Sequence, residues 1–141
     1  MRMKMRFYLC TCVLLLACVA VGFAQDEAST QYAEKLMTPA VQANAALQKS
    51  AKAGDLKSAA SSATETQNAF ARVEQFWTMR GTSDAQMFAQ NIEQAAQKAH
   101  DAAAAGKKGA AQAAAKKITA NCGMCHSAHR MMLADGTFKI R

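Results

Sequence analysis

Helix-breaking residues are scarce in this sequence, which has one proline and seven glycines among its 141 residues. The glycines beyond residue 24 fall mostly between segments in which apolar residues recur with a helical period. Alanine is abundant in those segments, and it has the highest intrinsic helix propensity. The composition therefore favours an all-α fold.

Cysteine is also scarce once the first 24 residues are set aside. Five cysteines occur in the full sequence, but Cys10, Cys12 and Cys18 all precede residue 25. The rest of the chain keeps only Cys122 and Cys125, which excludes a framework of several disulfides. These two thiols therefore need another interpretation.

The first 24 residues have the pattern of a secretory signal peptide. Three cations lie among the first six residues, residues 7–21 are apolar, and Gly22 and Ala24 are small residues at a cleavage site. The apolar run is shorter than the roughly 20 residues that span a bilayer. We predict cleavage before Gln25, export to the periplasm, and a mature domain of residues 25–141 with no membrane span.

An alternative processing site lies inside the same segment. Leu15-Leu16-Ala17-Cys18 resembles a bacterial lipobox, and cleavage there would leave a lipidated Cys18 and a membrane-tethered protein. Leu16 is bulky for that pattern, whereas Ala24 satisfies the small-residue rule, so we predict cleavage after Ala24.

Part of the positive net charge of the whole chain lies in this predicted signal peptide. The formal charge is +7 for the full chain and falls to +4 for residues 25–141, because three of the 17 Lys and Arg residues precede residue 25 and all 10 Asp and Glu residues follow it. So modest a charge indicates no nucleic-acid partner.

The periodic segments divide the mature chain into four helices with short connections. We expect helices over residues 29–53, 56–80, 83–105 and 110–133, and then a turn at Asp135-Gly136. Asp55 is a typical N-cap for the second helix, and Ser83-Asp84-Ala85-Gln86 fits a capping box for the third. Gly54, Gly81 and Gly106 follow the first three helices. The prediction is one antiparallel four-helix bundle.

Apolar residues within these helices recur in steps of three and four, as in the seam of a bundle. In the second helix they are Leu56, Ala59, Ala63, Thr66, Phe70, Val73 and Trp77. In the third they are Ala85, Phe88, Ile92, Ala95 and Ala99. In the fourth they are Ala111, Ala115, Ile118, Cys122, Cys125, His129 and Met132. Both remaining thiols therefore belong to the inward face, where bundles hold cofactors.

Residues 122–126 form a C-x-x-C-H pentapeptide, the signature of covalent haem attachment. Two thiols add to the vinyl groups of one porphyrin, and the adjacent imidazole reaches the iron from the same side. A redox dithiol would be expected in a βαβ setting, and a zinc site would need a second ligand pair, so both stay as weaker alternatives. The motif predicts one haem c per chain, attached through Cys122 and Cys125, with His126 as the proximal iron ligand.

With these residues the chain resembles the class II c-type cytochromes, the family of cytochrome c′ and its low-spin relatives. The likeness covers the four predicted helices and is sharpest over residues 122–130, because the family places its haem motif near the C-terminus and a basic residue four positions after the axial His. Arg130 stands at that position, while His129 replaces an aromatic residue. The resemblance implies a bundle with haem c in its core and Arg130 beside a propionate or over the proximal imidazole.

The same resemblance points to the first helix for the second axial ligand. A Met there gives a six-coordinate electron carrier in the family, and an apolar residue gives a five-coordinate iron open to small gases. Met37 matches this place, and a thioether opposite His suits electron transfer. Against it, Met is usually core filler, Leu36 is adjacent in phase, and Pro39 must kink the helix or restart it with Thr38 as N-cap. Met37 is the predicted distal ligand.

The sequence thus predicts a periplasmic carrier of single electrons, with a haem ligated by His126 and Met37 and an unidentified redox partner protein. The alternative is a five-coordinate, cytochrome c′-like protein that binds NO or CO. An enzyme is not predicted, because no distal His and Arg pair can be assigned and the chain is too short for a separate substrate domain. Monomer and homodimer both stay open.

Overall fold

The computed structural model describes residues 27–141, so the predicted signal peptide and the alternative site at Cys18 lie outside the described residues. The elements are a π-helical segment Tyr32–Met37, α1 Thr38–Ala53, α2 Leu56–Met79, α3 Ser83–Ala104, α4 Lys108–His129, β1 Arg130–Met132 and β2 Phe138–Ile140. The strands β1 and β2 form an antiparallel hairpin. The prediction of four helices is confirmed. None of the described helices combines the length and apolar character needed to cross a membrane.

The turn between α1 and α2 follows the sequence-based prediction. Gly54 ends α1 with a φ of 81°, in the left-handed region that favours glycine. Asp55 caps α2, because its carboxylate accepts a hydrogen bond from the backbone N–H of Ser58 at 3.1 Å. One residue thus stops a helix and the next starts another.

The predicted capping box at the start of α3 is wrong. Thr82, not Ser83, is the N-cap residue, and no side chain caps the helix there. The Gln86 amide, which would have completed the box, donates instead to Glu74 of α2 at 3.2 Å. A hydrogen bond between α2 and α3 therefore replaces the predicted hydrogen bond within the first turn of α3.

The predicted continuation of the last helix to residue 133 is also wrong, because α4 ends at His129 and the next three residues enter β1. A turn holds the hairpin, since the Asp135 carboxylate accepts hydrogen bonds from the Thr137 N–H at 2.9 Å and hydroxyl at 2.7 Å. The guanidinium of Arg141 donates to the carbonyls of Ser127 at 2.8 Å and Ala128 at 2.9 Å. These bonds satisfy carbonyls that a helix end leaves open.

The first and last helices lie side by side and run antiparallel. The side-chain amide of Gln48 in α1 donates to the carbonyl of Ala115 in α4 at 2.6 Å. The amide of Gln112, one turn earlier in α4, donates to the carbonyl of Ala51 at 3.0 Å. These two bonds fix the register in which α1 and α4 face each other.

The core is built mainly from alanine. Fourteen of the 21 buried apolar residues in the described part of the chain are alanine, and Trp77, Leu47, Ile92 and Ile118 are the largest apolar side chains that are fully buried. The predicted seams of α2 and α3 are confirmed, although Leu56 and Phe88 are only half-buried. Since apolar burial stabilises by about 25 cal/mol per Å², an alanine core supplies little stability per residue.

Two carboxyl groups meet between α2 and α3. Glu74 accepts hydrogen bonds from the amides of Gln86 at 3.2 Å and Gln90 at 2.6 Å. Glu93 is half-buried beside it, and the Oε1 atom of Glu93 has no hydrogen-bond partner. Burial and, after it, the negative charge of Glu74 raise the pKa of Glu93 to about 7. This side chain therefore keeps its proton well above the pH at which glutamate normally ionises.

We expect Glu93→Gln to stabilise the protein at about pH 8 and to have little effect near pH 4.5. Folded Glu93 binds its proton more tightly than the unfolded chain does, so the unmodified protein loses stability as pH rises from 4.5 through about 7. Glutamine has no proton to lose. Thermal unfolding across this pH range measures the difference in Tm, and Glu65→Gln, exposed on α2, is the control. A Tm difference that does not change with pH would contradict the expectation.

Candidate cofactor site

A cavity of about 430 Å³ lies where the chain before α1, the end of α4 and the hairpin meet. Its volume is within the roughly 300–1,000 Å³ of small-molecule and cofactor sites. A narrower cavity of about 20 Å³ adjoins it on the side of α3. Tyr32, Met37, Cys125 and His126 line both cavities. These four residues therefore mark the centre of the site.

The predicted attachment residues lie together on the last turns of α4. Cys125 lines both cavities, and Cys122 lines the narrower one. Both thiols are free and half-buried. His126 follows Cys122 by one helical turn and also lines both cavities. The spacing of the motif thus directs two thiols and one imidazole toward the same space.

The electrostatics of the two thiols differ from those of a redox dithiol. Burial raises the pKa of Cys122, and burial together with the nearby Cys122 and Asp84 raises the pKa of Cys125 to about 11. Reactive thiols have lowered pKa values, because the thiolate is the nucleophile. Among residues 27–141, no three His, Cys, Asp or Glu side chains group to hold a bare metal ion, as zinc would require. The raised pKa values of the two thiols therefore disfavour the redox-dithiol interpretation.

His126 lies in an environment that favours its neutral form. Burial and, after it, the positive charge of Arg130 lower the pKa of His126 below its ordinary value. A neutral imidazole is the form that ligates a metal. The surroundings of His126 therefore suit the predicted proximal ligand.

Met37 and His126 line the same two cavities. The hydrogen bonds of Gln48 and Gln112 hold α1 and α4 antiparallel, so the start of α1 lies near the end of α4. Leu36 packs against the core but lines neither cavity, whereas Met37 lines both. The structure therefore puts the thioether, and not the adjacent leucine, in the space next to the motif.

A π-helical segment before Pro39 puts Met37 at the cavity. The sequence predicted either a kink at Pro39 or a new helix that starts with Thr38 as N-cap, and neither is observed. The chain is helical without interruption from residue 27 to residue 53, and Met37, not Thr38, is the N-cap residue of α1. The backbone N–H and the hydroxyl of Thr38 both donate to the carbonyl of Ala33, the hydroxyl at 3.0 Å. The wider turn accommodates Pro39, which has no N–H to donate.

The π turn also brings Tyr32 to the cavity. Residues five apart in an α-helix point about 140° away from each other. In a π-helix each N–H bonds to the carbonyl five residues earlier, so residues five apart lie nearly above one another. Tyr32 and Met37 therefore share one face, and only the proline hinted in the sequence that the helix changes here.

Tyr32 belongs to a connected set of aromatic and polar side chains. The indole N–H of Trp77 donates to the Tyr32 hydroxyl at 3.0 Å, and the two ring centroids are 5.3 Å apart. The His129 ring lies 5.2 Å from that of Trp77, and its Nε2 atom is 2.9 Å from Asp84. Burial raises the pKa of Tyr32 far above its ordinary value, so the phenol stays protonated. This set ties the Met37-bearing segment to α2, α3 and α4.

The hairpin forms the remaining wall of the larger cavity. Arg130, Phe138, Lys139 and Ile140 all line it. The guanidinium carbon of Arg130 lies 3.1 Å from the centroid of the Phe138 ring. Sequence reasoning assigned Arg130 to the site but missed the other three, because a helix was expected where β1 begins.

Comparison of the chain with protein-family models, with curated proteins and with solved structures gives no match. The assignment of the site therefore rests on the chain's own motif and on the geometry around it.

We expect Tyr32→Phe to lower the free energy of unfolding by about 1–3 kcal/mol, because it leaves the buried N–H of Trp77 without an acceptor. Denaturant unfolding measures the loss. The double variant Tyr32→Phe/Trp77→Phe should lose less than the sum of the two single variants, since no donor is then left unpaired. Strictly additive losses would mean that the hydrogen bond contributes little to stability.

Proposed function

We propose that the protein is a periplasmic c-type cytochrome that carries single electrons on one haem c. Cys122 and Cys125 would attach the haem, His126 would be the proximal ligand and Met37 the distal one. The observation that carries this proposal is that Met37 and His126, from opposite ends of the mature chain, line the same two cavities as Cys125.

The residues present suit a haem in three respects. The cavity walls are mainly apolar and aromatic, two thiols lie on one face of α4, and the imidazole between them and the hairpin is held neutral. When bound, haem c supplies an iron that alternates between the ferric and ferrous states. Pairing a thioether with an imidazole raises the reduction potential of such an iron and suits electron transfer. The chain's own part is to bind, orient and shield the group.

The resemblance to class II c-type cytochromes agrees with the four observed helices and with a motif at the end of the last one. It implies electron transfer to an unidentified redox partner protein, and no catalytic role is proposed. The five-coordinate, NO- or CO-binding protein is the alternative outcome of the same test.

We expect the oxidised, matured protein to show a low-spin visible spectrum with a weak far-red sulfur-to-iron band. The visible spectrum of the reduced protein should not change when CO is added. Met37→Ala should remove the band and open the iron to CO, because the thioether is lost. Met87→Ala is the matched control, since Met87 is exposed on α3 and lines neither cavity. A high-spin spectrum that shifts with CO in the unmodified protein would favour the gas-binding alternative.

We also expect Cys122→Ala/Cys125→Ala, prepared without haem, to be partly unfolded. Most of the buried apolar residues are alanine, so the haem would supply much of the apolar surface that the bundle buries. Calorimetry should show no cooperative transition. The holoprotein carrying Met124→Ala, a change at an exposed position within the motif, is the control and should melt cooperatively. A sharp, native-like transition in the haem-free variant would contradict the expectation.

A further inference from the structure

Leu36 and Met37 are neighbours in the chain, and the π turn decides which of them reaches the site. In a regular α-helix the residue four positions after Tyr32 would share its face, and that residue is Leu36. In the π-helical segment the residue five positions later takes this place, and that residue is Met37. Met37 accordingly lines both cavities and Leu36 lines neither. The alignment of Met37 with Tyr32 therefore makes the position of Tyr32 important for the site.

Tyr32 is held in position by α2. Its side chain is buried, and its hydroxyl accepts a hydrogen bond from the indole N–H of Trp77 at 3.0 Å. Trp77 is only 1% exposed, so without this acceptor its N–H would be both buried and unpaired. The Phe76 ring packs on Tyr32 as well, with 4.7 Å between the two ring centroids. One hydrogen bond and two ring contacts thus fix Tyr32 relative to α2.

The other end of the π turn is fixed at the start of α1. The backbone N–H and the hydroxyl of Thr38 both donate to the carbonyl of Ala33. In a regular α-helix the ring of Pro39 would clash with the carbonyl of Lys35, four residues earlier. Both features disfavour a return to α-helical geometry. The turn therefore keeps Met37, and not Leu36, aligned with Tyr32.

We propose that Tyr32 is a positioning residue for the distal ligand, because the hydrogen bond that it accepts from Trp77 acts through the π turn to hold Met37 at the site. This rests on the proposed function, in which Met37 ligates the haem iron. It deepens that function, because the choice between a thioether and an apolar side chain is then made by contacts of a residue that is not itself a ligand.

Binding of cyanide to the oxidised, matured protein measures how firmly Met37 is held. Cyanide must displace the thioether, so its apparent affinity rises with the fraction of molecules in which Met37 has left the iron. We expect Tyr32→Phe to raise this affinity about tenfold, which is the effect of one hydrogen bond. In a Trp77→Phe background the same change should have little further effect, because the hydrogen bond is already absent.

Asp55→Ala is the control for a general loss of stability. It removes the N-cap at the opposite end of α2 from Trp77, and it should leave the affinity for cyanide unchanged. An equal rise in Asp55→Ala and Tyr32→Phe would mean that any destabilisation releases the ligand, and it would overturn the proposal. An unchanged affinity in Tyr32→Phe would overturn it too.

An exchange of the two neighbours tests the π turn itself. Leu36→Met/Met37→Leu keeps the composition of the chain but puts the thioether four residues after Tyr32. We expect this variant to lose the far-red sulfur-to-iron band and to bind CO when reduced, as Met37→Ala should. A band that survives the exchange would show that the turn does not select the residue at the iron, and the proposal would fail.

Trp77 supplies a readout that does not depend on the iron. It is the one tryptophan in the sequence, so the indole N–H signal in ultraviolet resonance Raman spectra belongs to it alone. This signal should report a hydrogen-bonded N–H in the unmodified protein and in Asp55→Ala, and a free N–H in Tyr32→Phe. A free N–H in the unmodified protein would overturn the positioning role while leaving Met37 as the ligand. If the unmodified protein lacks the far-red band, the proposed thioether ligation falls, and the positioning role falls with it.

Discussion

The register between α1 and α4 is the constraint on which the candidate site depends. Two glutamine amides, Gln48 and Gln112, each donate to a backbone carbonyl of the facing helix and so prevent the helices from sliding past each other. A shift by one turn would move Met37 about 5.4 Å along the axis relative to His126. Alanines at the contact allow this close approach, because they put little side-chain bulk between the backbones. The small core residues thus permit the close packing in which the two glutamine hydrogen bonds set the register.

The missing backbone N–H of Pro39 is accommodated in a way that serves the same site. Pro39 lacks the N–H that an α-helix would use, and the turn before it widens so that Thr38 can bond twice to one carbonyl. That widening rotates Tyr32 onto the face that carries Met37, and Trp77 then holds Tyr32 by a hydrogen bond. A local backbone defect is therefore coupled to the position of a candidate ligand. π-Helical turns are frequent at functional sites, where such coupling is useful.

The hairpin gives the cavity its electrostatic character. Arg130 acts on two groups, since its charge helps to keep the His126 imidazole neutral while its guanidinium plane is stacked on Phe138. A neutral imidazole is the form that the proposed haem would need at His126. The candidate site thus lies where the segment before α1, the end of α4 and the hairpin meet.

Local signals account for much of what could be predicted. Gly54 and Asp55 mark a helix end and a helix start because each acts on its own neighbours, and the spacing of Cys122, Cys125 and His126 places them on one face whatever surrounds α4. Met37 was singled out by its position in a family pattern. The nearby Pro39 indicated that the first helix is disrupted there, but not that the disruption is a π-helical turn.

The hairpin and the lining of the cavity could not be predicted from the sequence, because they depend on contacts between residues that are distant in the chain. Residues 130–132 have a helical pattern of their own, yet a turn at Asp135 and the bonds from Arg141 draw them into a strand. Lys139 and Tyr32 reach the cavity only through that hairpin and through the π turn. The sequence by itself determined most of the helices and the C-x-x-C-H spacing, which depend on contacts within a few residues. Only the folded chain decided which side chains surround the motif, because hydrogen bonds between distant segments set the register and the walls of the cavity.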